Sequence, residues 1–155
     1  MSKTLYVTDL DGTLLQDKQT LSEKTIRILN ELLDQGLYFT YATGRSFTSA
    51  APVTEKLHLS LPVISRDGCI IADPKSMQEI EINRISDEMI QKLRPILAPS
   101  MSSCFITTYS KGGEQKVYCE GPHSAGLCMY LEEHKDDPRL LAVANEAALY
   151  DNEIS

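Results

Sequence analysis

The sequence predicts an α/β fold, and three observations carry that prediction. Leu5-Tyr6-Val7 is a short apolar run of the kind that forms a buried parallel strand. An amphipathic stretch from Thr20 to Gly36 follows it. Leu37 to Ala42 then reads as a second strand, rich in aromatic residues. Strand, helix and strand within about forty residues is the size of a right-handed β-α-β unit. A chain of 155 residues buries one good core, or a core lobe plus a small second lobe.

In the first helix, Ile26, Leu29 and Leu33 fall at helical spacing, with Ile28 and Leu32 widening the stripe. Thr20 or Ser22 caps its start, Thr20 with Glu23 fits a capping box, and Gly36 suits a left-handed end. A helix is expected from about Ser46 to Leu57, kinked or delayed by Pro52. Leu61 to Ser65 reads as a third strand. Asp67-Gly68 has hairpin-turn chemistry leading into Cys69 to Ala72 and then Gln78 to Ile82. The pattern changes character from about Asn83. Ser86 caps a helix through Leu97, Cys104 to Tyr109 and Gln115 to Cys119 form a hairpin, and Ser124 to Glu133 is a short helix. Leu140 to Leu149 is composed of helix formers.

Composition narrows the function classes. A net charge of −7 and an isoelectric point near 4.9 argue against a general binder of nucleic acid or anionic membranes. A phosphorylated small molecule remains compatible, because one metal ion and a few local donors reverse the potential inside a cleft. No apolar stretch approaches the ~20 residues that span a bilayer. The first residues lack the apolar core of a signal peptide, so a cytoplasmic protein is expected. Cys69, Cys104, Cys119 and Cys128 contain no C-x-x-C pair, and three of them are expected to be small buried hydrophobes. The Asp136-Asp137 pair reads as a solvated loop.

Chemistry concentrates in Asp9-Leu10-Asp11-Gly12-Thr13-Leu14, directly after the first strand. Open α/β sheets bind ligands at the C-terminal ends of their strands, where these two carboxylates would sit. Gly12 frees the backbone, and Thr13 offers a hydroxyl and an amide to an anion. Phosphoryl transfer would use Asp9 as nucleophile and Asp11 as acid and base. Mg²⁺, held by Asp9 and Asp11, would join carboxylate to phosphate. An ordinary polar turn uses the same residue types. A calcium loop counted from Asp9 would need Gly at its sixth position and Glu at its twelfth, which here are Leu14 and Thr20. Thr43-Gly44-Arg45 ends the second strand, and its Thr hydroxyl and Gly44 and Arg45 amides would face an anion at a helix start. A simple Thr cap fits that triplet too. A phosphotransfer receiver is a weaker reading, since its acidic groups come from separate strands.

Asp9-x-Asp11-Gly12-Thr13-Leu14, Leu21-Ser22, Ala42-Thr43-Gly44-Arg45 and Leu61-Pro62-Val63-Ile64-Ser65-x-Asp67-Gly68 together resemble the first half of a haloacid dehalogenase (HAD) superfamily phosphatase. The Cof-type branch, which carries an inserted cap domain, is the nearest in pattern. The resemblance implies a Rossmann-like core lobe, a partial parallel sheet with flanking helices, over residues 1–82. Part of an α/β cap domain would follow over 83–155. It further implies a Mg²⁺-dependent hydrolase of small phosphate esters, often sugar phosphates, working through an aspartyl-phosphate. Asp9 would match the nucleophile, Asp11 the acid/base, and Thr43 the phosphate-binding threonine; Gly12, Thr13, Gly44 and Arg45 complete the expected phosphate site.

Two departures stand out. Asp67-Gly68 replaces the family's usual Asn-Gly, which keeps the turn and changes the charge near the cleft. The family's downstream Lys and its acidic metal-binding loop have no counterpart here, and the match is specific over residues 4–72. The partial sheet implies an uncovered edge, favouring a homo-oligomer. A non-catalytic module, binding a phosphorylated metabolite or pairing through that edge, is the alternative expectation.

Overall fold

The computed structural model describes residues 4–16, 19–110, 113–145 and 148. The chain divides into two compact units, Met1–Arg84 and Ile85–Ser155.

In the first unit, β1 (Leu5–Thr8) leads through a turn to α1 (Glu23–Asp34) and then β2 (Tyr38–Tyr41). β1 and β2 pair in parallel, from Leu5 opposite Tyr38 to Thr8 opposite Tyr41. Ser22 caps α1, its hydroxyl accepting from the Thr25 N–H at 3.0 Å, so the capping residue is Ser22 and Thr20 lies outside the helix. At the other end Gly36, with φ of 91°, lets its own N–H reach Leu33 O while Leu37 N–H reaches Leu32 O. These two bonds form a Schellman motif, which needs a left-handed residue where Gly36 stands. The apolar stripe is narrower than its sequence pattern: Ile26, Leu29 and Leu33 are partly buried, whereas Ile28 and Leu32 are exposed.

β2 is followed by α2 (Phe47–Thr54), which ends two residues after Pro52 and short of the expected Leu57. Proline removes a backbone donor and crowds the preceding turn, which favours an early stop. Next come β3 (Val63–Ser65), β4 (Ile70–Ala72) and β5 (Glu79–Ile82), which pair antiparallel in that order. A parallel bridge from Ala42 to Ile64 sets β3 beside the end of β2. Leu10, Tyr41, Ala50, Val63 and Ile70 form the buried centre.

β1 departs from the expectation of a buried strand. Leu5, Tyr6 and Val7 are 53%, 54% and 50% exposed. Among the described residues β1 has β2 as its only strand partner, so one edge and much of its side-chain surface lie open.

The second unit contains α3 (Asp87–Leu97), a 3₁₀ segment over Ala98–Ser103, β6 (Ile106–Ser110), β7 (Gly113–Cys119), α4 (Ala125–Glu133) and β8 (Leu140–Val143). β6 and β7 form the expected hairpin; Lys111 and Gly112 of its turn lie outside the described residues. Val117 is fully buried, and Leu97, Cys104, Ile106, Cys119 and Val143 pack against it. On the alternate face Lys116 is also buried, donating to the Tyr130 hydroxyl with its ammonium 5.0 Å from that ring's centre.

Three further expectations are corrected here. Leu140–Val143 is a strand rather than the start of a helix, because it pairs in parallel with β7 from Lys116 to Cys119. Tertiary pairing overrides a weak local preference; of the remaining expected helix, Ala144 and Asn145 form a bend, Ala148 is helical, and Glu146, Ala147 and Leu149 lie outside the described residues. Asp137 is not a solvated loop residue, since Arg139 engages both its oxygens and leaves the side chain 11% exposed. None of the four cysteines is in a disulfide, yet only Cys104 and Cys119 are partly buried, while Cys69 and Cys128 are exposed. No helix among the described residues is long and apolar enough to cross a membrane.

Candidate active site

Parallel pairing of β1 and β2 brings their C-terminal ends side by side, with Ala42 N–H donating to Thr8 O at 2.8 Å. Asp9 and Thr43 are the residues immediately beyond. After Asp9 the chain makes a wide turn over Leu10–Leu14, closed by Leu15 N–H on Leu10 O at 2.8 Å. Leu10 is completely buried and pins this turn to the core, while Asp9 and Asp11 on either side are exposed. Gly12 has φ of 72° and ψ of 1°, a left-handed conformation that a side chain would oppose. Thr13 is exposed on the same turn.

The second loop is built differently. Thr43 is buried, and its Oγ1 accepts the Arg45 N–H at 3.2 Å. Thr43 N–H donates to Ile64 O at 3.0 Å. The turn after β3 clamps this loop from the other side, with Asp67 N–H on Thr43 O at 3.2 Å and Arg66 N–H on Arg45 O at 3.0 Å. Arg66, Asp67 and Gly68 are consecutively left-handed, at φ of 50°, 53° and 94°. Two non-glycine residues in that region represent strain, of the kind that clusters at functional sites. The turn lays the Asp67 side chain against Gly44, where a Cβ would come within 2.9 Å of Asp67 Oδ1. A side chain at 44 would therefore displace the Asp67 carboxylate.

Asp11 and Arg45 meet directly. Arg45 Nε donates to Asp11 Oδ2 and Nη2 to Asp11 Oδ1, both at 2.6 Å, a two-pronged pair. The Arg45 hydrogen bonds, together with its charge, hold the Asp11 carboxyl below the usual carboxylate range, and Asp11 raises Arg45 in turn. Gln19, absent from the sequence reading, accepts a third bond from Arg45 Nη2 at 2.9 Å. Among the described residues the Asp9 side chain, by contrast, has no hydrogen-bond partner. Thus the residues expected at one site come from two adjacent loops, with Arg45 and Asp11 in contact.

A family model for haloacid dehalogenase-like hydrolases matches residues 6–154. The chain belongs to the haloacid dehalogenase-like hydrolases. It is 35% identical over 71 residues to the 5-amino-6-(5-phospho-D-ribitylamino)uracil phosphatase YitU of Bacillus subtilis, a match covering 46% of this chain and 26% of that protein. It is 36% identical over 107 residues to YcsE, a phosphatase of the same name and organism, covering 69% of this chain and 43% of that one. Among solved structures, BT1666 of Bacteroides thetaiotaomicron superposes with a TM-score of 0.66 at 18% identity, covering 97% of this chain and 53% of the other. A HAD/Cof-like hydrolase of Plasmodium vivax gives a TM-score of 0.66 at 17% identity, with coverage of 96% and 52%. The fold is therefore that of the HAD hydrolases, as the motifs from Asp9 to Gly68 imply, and the chain spans about half the length of these solved structures.

Proposed function

We propose that this HAD chain carries the nucleophile-bearing part of a Mg²⁺-dependent phosphatase that hydrolyses small phosphate esters through an aspartyl-phosphate. The observation that carries the reading is the placement of Asp9-x-Asp11-Gly12-Thr13 and Thr43-Gly44-Arg45 on neighbouring loops past two parallel strands. In this reading residues 1–82 belong to the catalytic core and 83–155 to the cap. An Asp9 oxygen attacks phosphorus, forming the O–P bond as the ester P–O bond breaks. Asp11 gives a proton to the departing alkoxide, then takes one from the water that cleaves the acyl phosphate. Asp9 is regenerated and inorganic phosphate leaves. Gly12, Thr13, Thr43, Gly44 and Arg45 hold the phosphate through backbone N–H groups, hydroxyls and charge.

The donor chemistry of the site suits Mg²⁺, which takes oxygen ligands and keeps several waters. Asp9 would hold it through its open carboxylate and Asp11 through its main-chain carbonyl, since Arg45 engages both Asp11 side-chain oxygens. Among the described residues no third acidic, His or Cys side chain joins them in a metal-binding group. When bound, the ion offsets repulsion between carboxylate and phosphate. Two relatives are named for a phosphorylated ribityl compound, which supports a sugar or polyol phosphate as the substrate class. A net charge of −7 and four cysteines outside any disulfide support a cytoplasmic enzyme that binds neither nucleic acid nor membrane.

Quenching the protein with acid during turnover of an aryl phosphate, followed by peptide mass analysis, tests the intermediate. The peptide containing Asp9 should carry one hydroxylamine-labile phosphoryl group; a label elsewhere, or none, would overturn the reading.

One observation favours a second reading. The half-exposed Leu5, Tyr6 and Val7 on a strand with an open edge suit a module that pairs with another chain, including a second copy of itself. Sedimentation as a single monomeric species across a wide concentration range would eliminate it.

A further inference from the structure

The Asp11–Arg45 contact has a chemical consequence beyond the roles above. A guanidinium fork matches a carboxylate and a phosphate equally well in shape, so the two compete for it. Here the carboxylate occupies it: both Asp11 oxygens lie at 2.6 Å from Arg45 nitrogens. The Arg45 side chain is 14% exposed and that of Asp11 is 49% exposed, so a phosphate reaches the fork only as the Asp11 carboxylate swings out toward solvent. Arg45 follows Thr43 and Gly44 directly, which places its side chain at the proposed phosphate loop. Its backbone is fixed at both ends, the N–H on Thr43 Oγ1 and the carbonyl under Arg66 N–H. Only the side chain is left to change partners. Gln19 holds the fork in its present position, on a loop closed by Gln19 N–H to Gln16 O at 2.8 Å and Gln16 N–H to Thr20 O at 2.9 Å.

We propose that Arg45 is a two-position binding residue, its fork closed by Asp11 and Gln19 at rest and taken over by the substrate's phosphate, which releases Asp11. The proposal rests on the phosphatase reading and adds regulation of that same site. A phosphate dianion carries more charge than the carboxylate and accepts two parallel N–H bonds as readily, so it is the stronger occupant. Substrate binding thereby frees the acid/base group only when a phosphate is present.

Calorimetric titration of inorganic phosphate, with divalent metal chelated, tests the exchange without turnover. Asp11→Asn removes the resident anion and should bind phosphate about tenfold more tightly than the native chain. Adding Arg45→Met should abolish that gain. Gln19→Ala, which leaves both charges in place, should tighten binding by about threefold through loss of one hydrogen bond. Circular dichroism melting verifies that each variant is folded, and Gln19→Ala carries the test if Asp11→Asn is not. Equal affinity in Asp11→Asn and native protein would overturn the exchange. So would a gain that survives Arg45→Met, since this would reflect the lost negative charge alone. Absence of phosphate binding throughout would overturn it as well. The phosphatase reading fails separately, through the absence of label on Asp9.

Discussion

Asp9 and Asp11 carry the same side chain two positions apart, and the fold gives them different surroundings. Arg45 holds Asp11 in a two-pronged pair, whereas Asp9 stays exposed past the end of β1. In the proposed mechanism Asp9 attacks and Asp11 carries the proton, so the Arg45 pair, which favours ionised Asp11, has to open before Asp11 can donate. Asp9→Asn should lower phosphate release at least about a thousandfold while leaving the melting temperature nearly unchanged. Gly44→Ala sets a Cβ against the exposed Asp67 Oδ1, which must swing aside, and should cost less than about 1 kcal/mol of stability in denaturant titration. Adding Asp67→Ala should restore most of that loss, because the clash is with that side chain. The two aspartates were legible in the sequence because they follow an apolar strand in a spacing that a metal and a phosphate can use. Gln19 was not, since its contact with Arg45 spans 26 positions and depends on a left-handed backbone at φ of 56°.

At the scale of elements, local signals predicted best where the cause is local. Ser22, Ser86 and Ser124 each cap a helix through the N–H three residues on, and Gly36 closes α1. Ser22→Ala should therefore lower stability by about 1 kcal/mol in urea unfolding. Sequence pattern failed where long-range pairing decides. Leu140 to Val143 has helical composition, yet the open edge of β7 takes it as a strand. The same junction explains Asp137, whose carboxyl is lowered to about 2, chiefly by hydrogen bonds from Arg139 and in part by the charge of Lys116. A group with a depressed folded pKa stabilises above its unfolded value and loses that contribution as pH falls through the folded one. The stabilisation should thus be complete above pH about 4 and fade toward pH about 2. Asp137→Asn should be less stable than the native chain by on the order of 1 kcal/mol at pH 6, allowing for solvent screening. Thermal melts should show the gap narrowing as pH falls from about 4 toward 2; a gap independent of pH would contradict the assignment.

For the molecule as a whole, the α/β class and the HAD family were readable from motifs that cluster in its first 72 residues; the fold bears out the class and the family match over residues 6–154 the family. The exposure of β1 follows from pairing rather than composition: the same apolar residues lie buried when partners stand on both sides of a strand. Tyr6→Lys, placing a charge on that open strand, should reduce any concentration-dependent association seen in sedimentation. Phosphoryl transfer through Asp9 is the proposed reaction. Its most direct test is Mg²⁺-dependent phosphate release from an aryl phosphate, measured for this chain and for Asp9→Asn under identical conditions. Release should require Mg²⁺ in the native chain and disappear in the variant. Turnover that persists in Asp9→Asn, or that is absent from both proteins, would contradict it.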